Sequence, residues 1–276
     1  MTMVWSPDYL GSPGKMVLAK DFRSFNPSDI ETTLWLDAAD ASTITESGGA
    51  VSQWDDKSGN GNNVSQATPA NQPTYTSSGL NSKNVITFDG VNDWMACASS
   101  IFSNQLSYSW FAVATRSTTA TIATLFSERI ANNAVSVQLT ALDTTAIINR
   151  ASGTSASGFI DQTEAVSMPT TPQILESIQF PGSGSAYRNA VQTATNTATK
   201  ASLTFRPLLL GSQYDSAAGT VGTQQFWPGY ICEFIVTQNT TSTDTRQRIE
   251  GYLAHKWGLT ANLPADHPYK TVEPTP

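Results

Sequence analysis

The chain has 276 residues, a formal net charge of −7 and only 13% charged side chains. The acidic balance, with no Lys/Arg cluster, excludes a phosphate-binding surface and with it a nucleic-acid partner. No apolar run approaches the length of a membrane span. The wealth of Ser, Thr, Asn and Gly suits many short strands with polar outer faces and tight turns.

Residues 1–30 are punctuated by Pro7, Gly11, Pro13, Gly14 and Pro27, yet carry Trp5, Tyr9, Leu10, Met16, Val17, Leu18, Phe22 and Phe25. That is too apolar for a solvated tail, and the prolines block regular strand pairing. The segment reads as an N-terminal docking arm, with Trp5, Tyr9 and Leu10 as assembly contacts. The competing reading folds it back over an edge of its own sheet. No basic segment leads into an apolar run, so no secretory signal is expected.

Strand signals follow along the middle. Val85–Phe88 runs into an Asp89-Gly90 turn, and Tyr108–Thr115 is apolar on both faces, as a central strand should be. Val135, Val137 and Leu139 alternate with Ser136, Gln138 and Thr140, which predicts a half-exposed strand. Ile174, Ile178 and Phe180 share one face. Thr193, Thr195, Thr197 and Thr199 form a period-two ladder on an exposed strand. Leu203–Leu210 ends at Gly211. Cys97 and Cys232 read as two small buried hydrophobes in preference to a bridge or a zinc site.

The most ordered pattern comes last. Gly229 opens a strand that runs through Val236, interrupted only by Glu233. A turn of Asn and Thr residues follows, then Asp244 and Gln247 at capping-box spacing. Ile249, Leu253 and Trp257 recur every four residues on one helical face, and Gly258 fits the position that stops the helix. Residues 261–276 form a Pro-rich tail, expected to be extended.

The set Phe226, Gly229, Ile231, Glu233, Phe234 and Val236, followed by that helix, resembles the C-terminal strand and helix of laminin-G-like, concanavalin A-like jelly-roll domains. Leu34–Thr45, Val51–Asn63 and Ile86–Met95 resemble the same family in the expected order. The stretch from Ile249 to Lys270 is similar to a C-terminus found in phage-encoded and marine bacterial members. Tyr187 and Asn189 stand where the family shows a Y-x-N-G hairpin, with Ala190 in place of the glycine. The resemblance implies an all-β sandwich of two antiparallel sheets with one C-terminal helix, over residues 31–260. It says little of function, because this fold hosts lectins, hydrolases and passive structural modules.

Three kinds of site can be weighed. Trp54, Trp94 and Trp227 lie near turns and are the candidates for stacking on sugar rings, against core packing; Trp35, Trp110 and Trp257 sit in apolar periodic contexts. Asp89, Asn92 and Asp93 could offer oxygen ligands to calcium at a sandwich rim, against a plain Asp-Gly turn. Asp56–Gly61 has the spacing of half a calcium loop, but Ala67 stands where the closing glutamate belongs, so an Asx-rich turn is expected. For catalysis, no E-x-D-x-x-E strand and no G-x-S-x-G elbow exists, and His255 and His267 face no evident nucleophile. Glu233 is expected to be a buried structural carboxylate with a backbone partner. A non-enzyme is therefore expected, with no cofactor beyond a possible calcium ion.

With the resemblance, these readings lead to a structural protein of a tailed-phage virion, as a capsid decoration or a tail or fibre component. Its partners would be other virion proteins, met through the arm and the tail, and further copies of itself. The alternative is a carbohydrate-binding module for host-surface polysaccharide, and a glycan hydrolase is third.

Overall fold

The structure, a computed structural model, describes residues 23–119, 121–129, 136–142, 146–152, 159–165, 167–197, 204–214, 221, 225–238 and 241–276. Trp5, Tyr9 and Leu10 lie outside the described residues, as do Val135, Thr199 and Leu203.

The described residues form a jelly-roll sandwich of antiparallel strands closed by one α-helix. The front sheet runs from Val191–Asn196 through Ser183–Arg188, Gln173–Phe180 and Tyr108–Ala114 to Pro228–Thr237. The ten-residue Pro228–Thr237 strand then takes two partners on its other side. Lys83–Asp89 pairs with its first half and Leu34–Asp37 with its second, and Thr74–Leu80 extends the sheet beyond Lys83–Asp89. The back sheet runs Ile44–Ser47, Ala50–Trp54, Val64–Ser65, Met95–Cys97, Leu209–Leu210, Ala123–Arg129, Ser136–Ala141, Ile147–Ser152 and Phe159–Glu164. A bridge from Ala50 to Thr74 carries hydrogen bonding from one sheet to the other.

Tyr108–Ala114 is buried at every position because both of its faces are covered. Trp110, Ala112 and Ala114 point between the sheets, where Trp110 meets Phe126 edge-on at 5.0 Å and Phe126 meets Phe234 at 5.1 Å. Phe111 and Val113 point the other way, into a second core formed with Ile249, Leu253, Ala254 and Trp257 of the helix Thr243–Trp257. The four-residue spacing thus buries one helical stripe on the outer face of the front sheet.

The helix begins two residues earlier than its capping-box pattern suggests. Ser242 is the N-cap and accepts from the Thr245 amide at 3.1 Å, while Asp244 pairs with Arg248 in the first turn. Gly258 ends the helix at φ 72°, in the left-handed conformation where a side chain is strained. Gly229 answers a different need. A Cβ there would lie 2.2 Å from the Thr115 carbonyl oxygen, so only glycine lets the two strands approach.

Two expectations about exposure are corrected. Gln138 and Thr140, expected on a half-exposed strand, are 6% and 4% exposed; the Thr140 hydroxyl shares a hydrogen bond with that of Thr124 and accepts another from Gln138. The tail of residues 261–276 is not extended. It turns back over the helix: Tyr269 packs on Gly251, its carbonyl bonds His255 at 2.9 Å, and Lys270 holds three carbonyls at Thr260, Ala261 and Leu263. Residues 23–30 join it there. Phe25 is 2% exposed, stands edge-on to Tyr252 and donates its amide to the Pro274 carbonyl at 2.8 Å. The described end of the arm therefore belongs to the domain.

Candidate functional site

Trp54 and Trp227 are buried at 0% exposure, so neither presents a ring face to a sugar. Trp54 points between the sheets. Trp227 does too, and donates its indole N–H to the Thr115 carbonyl at 3.1 Å. Closeness to a turn said nothing about the direction of either side chain. Trp94 is half-buried, at a rim where the turn after Asp89 meets the turn at Pro69–Asn71. Its amide donates to the Asn71 carbonyl, and Gln66 reaches its carbonyl at 3.0 Å. Exposed Val91 and half-buried Asn92 and Gln72 complete this rim.

The calcium candidates sit beside Trp94, and their oxygens serve the turn. Asp89 Oδ1 accepts from the backbone amides of Val91, Asn92 and Asp93, and Asp93 Oδ2 accepts from the Asp89 amide at 2.9 Å. Asn92 donates to the Ala70 carbonyl. Burial, aided by the neighbouring Asp89 charge, pushes the Asp93 carboxyl up to about 6. No cluster of three His, Cys, Asp or Glu side chains able to hold a metal occurs among the described residues. The Asp56–Gly61 loop is an Asx-rich turn: Asp56 accepts from the amides of Trp35, Ser58 and Asn62 and from the Ser58 hydroxyl.

Sequence reasoning missed the charged layer beneath the helix. Glu233, at 0% exposure, accepts from the indole N–H groups of Trp35 and Trp257, each at 2.7 Å, and from the Tyr252 hydroxyl at 2.8 Å. Lys256 of the helix neutralises it at 2.8 Å and also pairs with Asp37 at 2.6 Å. Asp37 passes the alternation on to Lys57, which stacks over Trp35 and pairs with Asp40. Lys57 in turn pulls Asp40 down to about 2. Glu233 reaches the helix because the strand bulges: Ile231 and Glu233 face consecutive partners on Tyr108–Ala114, so Cys232 is the extra residue, and both Cys232 and Glu233 turn outward. The expected backbone partner is thus replaced by side chains of the sheet and the helix. A second buried set lies nearby. Glu176 of the front sheet stands beside Glu250 of the helix, which pairs with Arg246 and accepts from His267 of the tail at 2.9 Å. Burial and the Glu250 charge hold the Glu176 carboxyl far above its usual range. Glu176, Glu233 and Glu250 are all at 0% exposure and meet no solvent, and the oxygens of Glu233 and Glu250 tie the helix to the sheet and the tail.

Cys97 and Cys232 are both buried and unbridged, as the sequence suggests. The hairpin after Tyr187 keeps left-handed backbone at both Asn189, φ 52°, and Ala190, φ 66°. Ala190 thus holds a left-handed conformation that a Cβ disfavours.

No family model and no curated protein sequence matches the chain. Among solved structures, the chain is similar to domain 4 of AbnA, a GH43 extracellular arabinanase from Geobacillus stearothermophilus, in complex with arabinotriose. The TM-score is 0.55 at 12% identity, over 78% of this chain and 96% of that one. It is also similar to Trypanosoma rangeli sialidase in complex with sialic acid, with a TM-score of 0.56 at 10% identity, over 81% of this chain and 33% of that one. These likenesses establish the lectin-like β-sandwich fold.

Proposed function

We propose that this chain is a non-catalytic binding module whose ligand is an oligosaccharide. The observation that carries the reading is the likeness, along nearly the whole of the other domain, to a sandwich solved with arabinotriose. The buried state of Glu176, Glu233 and Glu250 supports the non-catalytic part, since a glycosidase needs two carboxyl groups flanking a bond in an open cleft. Binding of the full chain to an array of oligosaccharides, followed by calorimetry on the hits, tests the reading. Saturable binding without release of reducing ends is expected. Hydrolysis of any bound glycan, or the absence of binding across the array, would overturn it.

A second reading, a virion decoration or tail component, is favoured by the apolar residues that precede Arg23. Trp5, Tyr9, Leu10, Met16, Val17 and Leu18 give this stretch the means to anchor the sandwich on another protein. Immunogold labelling of purified particles separates the two roles, which could coexist in one molecule.

A further inference from the structure

The charged layer beneath the helix holds an amine against one carboxyl group, with a second carboxyl group beside them. Asp37 and Glu233 are direct cross-strand partners, so their side chains leave the sheet on the same face. Lys256 reaches them from the last turn of the helix. Its Nζ meets Asp37 Oδ1 at 2.6 Å, Glu233 Oε2 at 2.8 Å and the Tyr252 hydroxyl at 3.0 Å. That contact puts Nζ about 3–3.5 Å from Asp37 Cγ, the separation of reacting atoms in a near-attack arrangement. Lys57 holds the other Asp37 oxygen, Oδ2, at 3.0 Å.

The surroundings favour condensation over a lasting ion pair. Asp37 and Glu233 are 4% and 0% exposed, and the Tyr252 and Trp257 rings lie 5.2 and 5.4 Å from Lys256 Nζ. A buried ion pair carries a desolvation cost that a neutral amide does not. Reactants fixed in this way gain effective molarities of about 10⁵–10⁸ M. Burial, aided by the Asp37 charge, holds the Glu233 carboxyl above its usual range, so it can take a proton and return it. Lys57 also pairs with Asp40, but that side chain is 32% exposed and water competes for it.

We propose that Lys256 Nζ and Asp37 Cγ join in an isopeptide bond that the folded chain makes for itself, with Glu233 as its catalytic residue. A proton from Nζ passes through Glu233 to Asp37 Oδ1, leaving an amine beside a carboxylic acid. The Nζ lone pair adds to Cγ, and the charge that develops on Oδ2 faces the Lys57 ammonium. On collapse the Cγ–Oδ1 bond breaks. Glu233 carries a second Nζ proton to Oδ1, which departs as water. One ammonium and one carboxylate thus give one amide and one water, and no other reactant enters. Lys256 lines a surface cavity of about 270 Å³ with Phe25, Tyr252 and His255, which gives the water an exit. The bond ties the strand Leu34–Asp37 to the closing helix and makes residues 37–256 a covalent ring. A pull on the two ends of the sandwich would then run through the bond and spare the strand ladders. None of this requires a ligand, so it stands apart from the glycan-binding reading.

The test is the intact mass of the full chain after incubation as folded protein. The wild type should be lighter than its sequence by one water. Its protease digest should contain a branched peptide that tandem mass spectrometry resolves as Asp37 joined to Lys256. A single nick between the two positions should leave one band on a denaturing gel. Lys256→Arg keeps the cation but has no amine to acylate, so it should show the full sequence mass and two bands after the nick. Glu233→Gln keeps both reactants and should form the bond at least about 100-fold more slowly. A wild type at full sequence mass overturns the proposal and leaves Lys256 and Asp37 as an ion pair. So does a lost water without the branched peptide. These readouts belong to the wild type, so a variant that fails to fold does not shelter the proposal. If folded Glu233→Gln forms the bond as fast as the wild type, the role of Glu233 is overturned.

Discussion

A single carboxylate, Glu233, holds together what two other elements bring to it: Trp35 from the strand Leu34–Asp37, and Tyr252, Lys256 and Trp257 from the helix. A buried charge is tolerated only when its lone pairs are met, and here three neutral donors and one ammonium meet them. Removing the carboxylate leaves two indole N–H groups and the Tyr252 hydroxyl without their acceptor, while Lys256 keeps only Asp37. Glu233→Ala is therefore expected to lower stability by about 3–5 kcal/mol in chemical denaturation, more than any exposed ion pair in the molecule. Glu128 is a different case. Its oxygens accept from Ser100 and from the Ile101 amide, each at 2.5 Å, and from the Phe102 amide at 3.1 Å, but no cation reaches it among the contacts described. Burial pushes its carboxyl from the usual 4.5 up to about 7. The folded state thus holds a proton that the unfolded chain has released. That contribution is full below pH 4.5 and fades as the pH rises through about 7. Tm should fall between pH 6 and pH 8, and Glu128→Gln should flatten that slope. An unchanged slope in the variant would show that another group is responsible. At Ala190 the backbone is left-handed at φ 66°, which disfavours any residue with a Cβ. Ala190→Gly should raise stability by up to about 1 kcal/mol, read as a higher denaturation midpoint.

The helix and the tail act as one layer. Leu253 is at 0% exposure between the front sheet and the helix, so Leu253→Ala should cost about 2–5 kcal/mol, and a Tm equal to wild type would deny the helix its place in the core. The tail seals the far side of that layer through His267, Tyr269 and Lys270. Truncation after Leu263 removes the His267 partner of Glu250 while Glu176 still crowds it. The shortened chain should melt several degrees lower and bind a hydrophobic dye. The main elements of this layer were legible in the sequence, because apolar spacing and Gly258 report local physics. The tail's path was not, since a proline-rich segment carries no periodicity, and its contacts depend on Gly251 leaving room for Tyr269. The N-cap was read two residues late, because Ser242 and Asp244 are both good capping residues and only the backbone turn chooses between them.

Across the molecule, strands and their order were readable wherever β-branched and aromatic residues crowd together, as in Tyr108–Ala114 and Pro228–Thr237. What could not be read was direction and company. Trp54, Trp94 and Trp227 look alike beside their turns, yet two are core and one is rim. Glu176 and Glu250 meet only after the helix lies across the sheet, and the amides of Gln162 and Gln179 face each other only after the sandwich closes. Long-range pairing has a further consequence in time. Leu34–Asp37 finds its partner in Phe234–Val236, about 200 residues later in the chain, and that partner strand also separates it from Tyr108–Ala114. At about 5–20 residues per second, a ribosome needs roughly 10–40 s to make the intervening chain. Until then Leu34 has no strand to pair with and Tyr108–Ala114 has only Gln173–Phe180 beside it, so the sheet cannot close before the last strand leaves the ribosome. A nascent chain stalled before Pro228 should be open to protease throughout, whereas one stalled well after Pro276 should be resistant.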